Sequence, residues 1–148
     1  MATYQIRYVR EKVSESDPAI ITTPKSAADY FVNHCFAPED LWREKSYALF
    51  VDSSRRAYGH MLIGVGGLSA AETDIRLVLK GAVDSMASGV VLAHNHPSGN
   101  PIPGKTDIEF TKRIKDALRA VGINFLDHIV LGEKTFFSFS EENTQKLP

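Results

Sequence analysis

Residues 93–107 read AHNHPSGNPIPGKTD, and His94, His96 and Asp107 among them are side chains of types that bind metal ions. The two histidines lie two residues apart at the end of an apolar run, GVVLAH (89–94), which reads as a buried strand. Residues of equal parity project to the same side while the chain stays extended, so both imidazoles can face one point. Pro97 keeps His96 out of the helical region, Pro101 and Pro103 stiffen the return of the chain, and Gly99 permits a turn. Asp107 falls in the first turn of the next helical pattern, three residues before Phe110 and seven before Ile114, on the inward side. Two neutral imidazoles and a carboxylate, with a fourth position open to water, are the ligand set of a catalytic zinc site. Such an ion lowers the pKa of its bound water and polarises a carbonyl. The competing reading is a pair of ordinary loop histidines; the strand position, the prolines and the inward aspartate favour a metal site.

The elements that must position these residues are legible in outline. TYQIRYVREKV (3–13) alternates as a half-buried strand, and SESDPA breaks it. Pro24 and KSAADYFVNHCF suggest a first helix, with Tyr30 and Phe31 facing inward and His34 and Cys35 near the boundary; EDLWREKS suggests a helical turn anchored by Trp42. YALFVDSS (47–54) and RAYGHMLIGVGG (56–67) read as strands around a turn at Ser53–Arg56. SAAETDIRLVLKGAVDSM (69–86) carries a helical stripe at Ile75, Val78, Leu79, Ala82, Val83 and Met86, with Ser69 and Glu72 spaced as a capping box. KTDIEFTKRIKDALRAVGI gives a second strong helix, stopped at Gly122. NFLDHIVLG and KTFFSFS read as a strand pair, and EENTQKLP as a polar tail. Strands and helices interleaved in this way make an α/β domain with a mixed sheet flanked by helices.

The whole-chain numbers bound the function. At 148 residues, 43% hydrophobic and 24% charged, the expectation is one globular domain over 1–148. A net charge of −1 supplies no general positive field for nucleic acid, and the single cysteine excludes a multi-cysteine zinc site. With neither a membrane-length apolar segment nor a secretory leader pattern, the expected location is cytoplasmic.

HNHPSGNPIPGKTD resembles the JAMM motif H-x-H-P-x6-S-x2-D of the MPN/JAB metalloprotease superfamily. More narrowly, LAHNHPSGNPIP with LDHIVLGEKTFFSF downstream resembles the RadC-like family. The resemblance implies a JAB-type core over about 23–142 behind an N-terminal strand, with an architecture like that of the cytidine deaminases. It also implies zinc on His94, His96 and Asp107, and hydrolysis of peptide or isopeptide bonds. The DNA-repair label that RadC-like proteins carry implies an association with DNA but no particular reaction.

Two positions depart from the motif. The serine three residues before the aspartate is Gly104 here; in JAMM peptidases that serine helps hold the oxyanion, a donor worth on the order of 100-fold in rate. The glutamate that handles the water's proton is expected from an earlier strand, aligned with YGHML at Gly59 or His60. Between Lys45 and His94 the only glutamate is Glu72, which is either a base or a helix cap. His60 is either a substitute base, since imidazole titrates in the useful range, or a polar residue packed on the sheet. On these departures, hydrolysis is expected to be weak.

Other features stay open or fall away. Asp127–His128 matches the family's DH pair and reads either as outer support for a metal ligand or as strand-end polarity. Lys105, Lys112, Arg113, Lys115 and Arg119 are interrupted by Glu109 and Asp116, as on a solvated helix face. GVGG (64–67) lacks the GK[ST] of a phosphate loop. Nucleoside deamination would need H-x-E with P-C-x-x-C, and Cys35 stands alone. The competing functions are therefore a zinc-dependent hydrolase and a zinc-stabilised module that binds protein or DNA without turnover.

Overall fold

A computed structural model describes residues 3, 5, 17–66 and 73–148. Helix α1 (Pro24–His34) starts where Thr23 and Ser26 cap each other, the Ser26 N–H donating to Thr23 Oγ1 and the Thr23 N–H to Ser26 Oγ, both at 3.0 Å. Strands β1 (Lys45–Val51) and β2 (Ala57–Val65) form an antiparallel pair. Helix α2 (Ile75–Asp84), strand β3 (Gly89–Asn95), helix α3 (Lys105–Ala120) and strands β4 (Asn124–Leu131), β5 (Thr135–Ser138) and β6 (Asn143–Lys146) follow.

These strands form a mixed six-stranded sheet in the order β2-β1-β3-β4-β5-β6. Only β3 and β4 run parallel, and α3 makes the crossover between them. The fold is α/β, as the sequence pattern indicates.

Side-chain alternation divides the core between the two faces of the sheet. Ala27, Ala28 and Phe31 of α1 pack on Leu49, Val51, Val91, Ala93, Ile129 and Leu131. Val78 and Ala82 of α2, with Ile114 and Leu118 of α3, pack on Ala48, Phe50, Ile63, Val90 and Leu92. Every residue of β3 is buried because it is covered on both faces, which is why GVVLAHN reads as an apolar run rather than an alternation. His94 shares the parity of Val90 and Leu92 and so emerges on the α2/α3 face.

Several expectations need correction. Helix α2 begins at Ile75 rather than near Ser69: the Asp74 side chain accepts the Arg76 N–H at 2.9 Å and caps it there. Ser69, Glu72 and the segment 6–13 lie outside the described residues. The segment read as a polar tail forms β6 on the edge of the sheet. It is mostly exposed, so main-chain pairing rather than an apolar stripe defines it, and periodicity could not reveal it. The helical turn expected in EDLWREKS is a 3-10 turn over Pro38–Asp40, earlier than expected, and Trp42 is 59% exposed with the Arg43 guanidinium over its ring rather than anchored in the core. His34 is exposed and Cys35 half-buried.

Candidate metal centre

The centre forms where β3 leaves the sheet and α3 begins. The extended path continues one residue beyond β3, with the His96 N–H donating to the Leu131 carbonyl at 2.9 Å. The loop then folds back: the Gly99 N–H donates to the His96 carbonyl at 2.9 Å, and Gly99 takes φ +81°, where a side chain would be strained. Gly104 caps α3 through its backbone alone, its N–H donating to Asp107 Oδ2 at 2.7 Å. That bond and the positive end of the helix hold Asp107 toward the histidines.

His94, His96 and Asp107 come together as the spacing indicates. Nε2 of His94 lies 2.9 Å from Nε2 of His96, and these nitrogens lie 3.3 and 3.4 Å from Asp107 Oδ1 and Oδ2 respectively. Ligands held about 2.0–2.1 Å from a tetrahedral ion are about 3.3–3.4 Å apart, so the carboxylate distances match and the imidazole pair is slightly tight.

The outer hydrogen bonds decide which nitrogens are free. Thr111 Oγ1 donates to the Asp107 carbonyl at 2.6 Å, so toward His128 it can only accept, at 2.6 Å from Nδ1. His128 is buried, and desolvation first, then the neighbouring His94, pushes its pKa well below the ordinary value, so the ring is neutral. Its proton is on Nδ1; its Nε2 therefore accepts from His94 Nδ1–H at 2.8 Å. His96 Nδ1–H donates to the Asn100 carbonyl at 2.8 Å. Both Nε2 lone pairs thus point at each other and at a carboxylate. Two facing lone pairs repel unless a cation lies between them, so the donor set fits a metal ion.

The electrostatics shows the same need for a cation. Burial pushes the Asp107 carboxyl up, but the His94 and His96 imidazoles beside it and the Gly104 N–H hold it far below the usual carboxylate range. Without a metal ion His96 holds a proton more tightly than usual, because of Asp107 first and, among smaller causes, the charge of Glu44.

Glu44 is the residue that sequence reasoning missed. It stands one position before the stretch in which a glutamate was sought, is only 8% exposed, and lines the cleft with Ser46, Ile63, His94 and Asp107. The β1–β3 register explains it: Ser46 lies opposite His94 in the last pair of the ladder, and extending that register by two residues directs Glu44 to the His96 side, on the same face. Counting that register back from a paired β1 and β3 is the signal that could have found it.

His60 is not brought to the cleft. It pairs with Leu49, whose side chain lies under α1, and its Nδ1 is 3.0 Å from the Tyr30 hydroxyl of that helix. Burial, with a smaller effect of Cys35, pushes the Tyr30 phenol up to about 12, so it keeps its proton and donates to His60. The parity that puts Ile63 in the metal cleft turns His60 to the other side of the sheet.

The DH pair divides its work. His128 supports His94, and its ring stacks on Phe139 with centroids 4.9 Å apart. Asp127, of opposite parity, accepts from Ser138 Oγ at 2.7 Å and the Ser140 N–H at 2.9 Å, fastening the turn after β5.

An α/β domain with two imidazoles and a carboxylate converging beside a mixed sheet, and a second carboxylate in the same cleft, belongs to the class of domains that could hold a metal ion there. Within it, residues 21–144 match the RadC-like JAB domain, and the chain belongs to that family. It is 37% identical over 135 residues to a UPF0758 protein of Aliivibrio fischeri, covering 91% of this chain and 58% of that protein. It is 36% identical over 121 residues to one of Lactococcus lactis (82% and 54% covered) and 37% identical over 121 to one of Staphylococcus carnosus (82% and 52%). The chain spans a little over half the length of these curated relatives. Among the described residues, no helix is long and apolar enough to cross a membrane.

Proposed function

We propose that this chain is a zinc-dependent hydrolase of a peptide or isopeptide bond, with Glu44 as its proton-handling carboxylate. Zinc is favoured over other divalent ions by the mixed nitrogen and oxygen donors and by the three-ligand count. When bound, it would supply an activated water and polarise the scissile carbonyl. The chain's residues do the rest. His94 and His96 present Nε2, with their Nδ1 protons held by His128 and Asn100, and Asp107 balances the charge. Glu44 takes the proton of the attacking water and returns it to the leaving amine nitrogen, the task for which His60 and Glu72 are the sequence candidates. Glu44, His94, Asp107 and the apolar wall of Ile63 and Phe110 share one small cleft of about 140 Å³. The single observation that carries this reading is Glu44 buried in that cleft with His94 and Asp107, near enough for its charge to act on His96.

The test is a panel of peptide and isopeptide substrates, with zinc removed and restored. Zinc-dependent cleavage is expected, and Glu44→Gln should keep its zinc while losing about 100- to 10,000-fold in rate. Zinc-loaded protein inert on the whole panel would count against hydrolysis. A second reading, a zinc-bearing interaction module without turnover, draws support from Gly104, which offers no hydroxyl where the motif has serine. Saturable partner binding without cleavage would select it. The DNA association implied by the repair label is a separate proposal, checked by salt-dependent retention of duplex DNA.

A further inference from the structure

Asn95, the residue between the two histidine ligands, is buried at 3% exposure, and its side chain reaches across to the segment that carries Glu44. The Lys45 N–H donates to Asn95 Oδ1 at 2.8 Å. Asn95 Nδ2 donates to the Arg43 carbonyl at 3.0 Å and the Leu41 carbonyl at 3.3 Å. On the other side, the Gly66 N–H donates to the Glu44 carbonyl at 2.8 Å.

The placement of these bonds matters. The Arg43 carbonyl belongs to the peptide plane before the Glu44 Cα, and the Glu44 carbonyl and Lys45 N–H belong to the plane after it. Peptide units are planar, so fixing both planes fixes the two soft dihedrals of Glu44 and the direction in which its side chain leaves the backbone. The β1–β3 pairing ends at Ser46 and His94, and Gly66 on the β2 side fixes only the plane after Glu44. Asn95 bonds both planes, and among neutral side chains only an amide both accepts the N–H and donates to two carbonyls.

We infer that Asn95 is a positioning residue that holds Glu44 against the metal centre, tying the proton-handling carboxylate to the strand that supplies two ligands. The inference rests on the reading of Glu44 given above. The Asn95 amide is engaged with the segment around Glu44, so it acts through Glu44.

The test uses the full chain loaded with cobalt, whose visible spectrum reports on the groups around it, titrated with pH. Glu44→Gln should move the spectral midpoint by about one pH unit or more, the scale of one nearby charge. Asn95→Ala, and the milder Asn95→Ser should Asn95→Ala fail to fold, should bind one cobalt per chain with the midpoint moved in the same sense. The double variant Asn95→Ala/Glu44→Gln, or Asn95→Ser/Glu44→Gln if the serine form is used, should move no further than Glu44→Gln alone, because both changes remove one effect. Where turnover is measurable, kcat should fall about 100-fold with KM unchanged. If Glu44→Gln moves the midpoint and the Asn95 variant keeps the wild-type value, or adds its own shift in the double variant, Asn95 does not position Glu44. Loss of cobalt from the Asn95 variant would make it a support of the ligands instead, overturning the inference. A Glu44→Gln protein with the wild-type midpoint would overturn the reading of Glu44, and this inference with it.

Discussion

The chain's five histidines divide between the two faces of the sheet, and the division separates a site from a surface cluster. On the α3 face, His94 bonds His128 and His96 bonds the Asn100 carbonyl, each through Nδ1, which leaves two Nε2 lone pairs facing each other beside Asp107. On the α1 face, His34 and His60 flank Tyr30, and the Tyr30 hydroxyl bonds His60. Both faces hold imidazoles within reach of one another. What differs is where their unused capacity points. The α3-face ligands have their Nδ1 protons engaged and their Nε2 atoms aimed at a carboxylate; the α1-face cluster uses ring contacts and one neutral bond. Histidine clustering alone is therefore poor evidence for a metal, and an anchored second nitrogen is much better.

The sharpest way to break this contrast is to remove a ligand. His96→Ala or Asp107→Ala should abolish stoichiometric zinc binding and any zinc-dependent turnover, measured by metal analysis and cleavage assay. The metal-free chain should stay folded by circular dichroism, because the two apolar clusters on either side of the sheet do not depend on the centre. Unfolding without zinc would make the metal a structural staple.

A smaller effect is expected one shell out. Exchanging His128 for leucine leaves His94 Nδ1 without its acceptor, and zinc affinity should fall about 10- to 100-fold in competition with a chelator. The same residue sets a pH dependence. The folded chain keeps His128 neutral, while the unfolded chain takes up a proton near pH 6.5. Its contribution is therefore full above that pH and lost as the pH falls. His96, raised instead, contributes most below pH 6.5 and loses its contribution as the pH rises through its own value. The thermal midpoint of metal-free wild type should thus decline more steeply from pH 7 to pH 5 than that of His128→Leu; equal slopes would contradict the assignment of a neutral, buried ring.

Gly104→Ser sharpens the contrast between enzyme and binding module. An added Cβ would meet Asp107 Oδ2 at 3.5 Å, an ordinary contact, and serine at a helix N-cap adds only a few tenths of a kcal/mol over glycine. The fold should be unchanged. A hydrolase should gain rate, by up to about 100-fold if a missing oxyanion donor limits it; a pure binding module should gain none. The smallest effect is expected on the other face. His60→Ala should leave zinc content and turnover at wild-type levels and cost within about 1 kcal/mol in denaturant unfolding. Loss of activity there would place the proton carrier on the wrong side of the sheet.

The candidate ligands were legible because one local stretch holds them: a strand end, a proline loop and a first helical turn. Helices α1 and α3 and the buried β3 were likewise local patterns. Glu44 was not, because its place depends on pairing between strands some fifty residues apart and on a register that spacing along the chain does not display. The side of the sheet that His60 takes was left open for a related reason. Irregularities in the β1–β2 register, between Ser46 and Tyr47 and between Phe50 and Val51, shift the pairing, so parity could not be carried across by counting. Strand β6 left no trace because an exposed edge needs no apolar alternation. The start of α2 was set too early because Asp74 stops the helix at its own cap.

The claim on which everything else depends is that His94, His96 and Asp107 hold one metal ion. Metal analysis of protein purified without a histidine tag, equilibrated with zinc and freed of excess, tests it directly against His94→Ala treated in the same way. About one zinc per chain in the wild type and none in the variant is the predicted result; a metal-free wild type, or a variant that keeps its zinc, would contradict it.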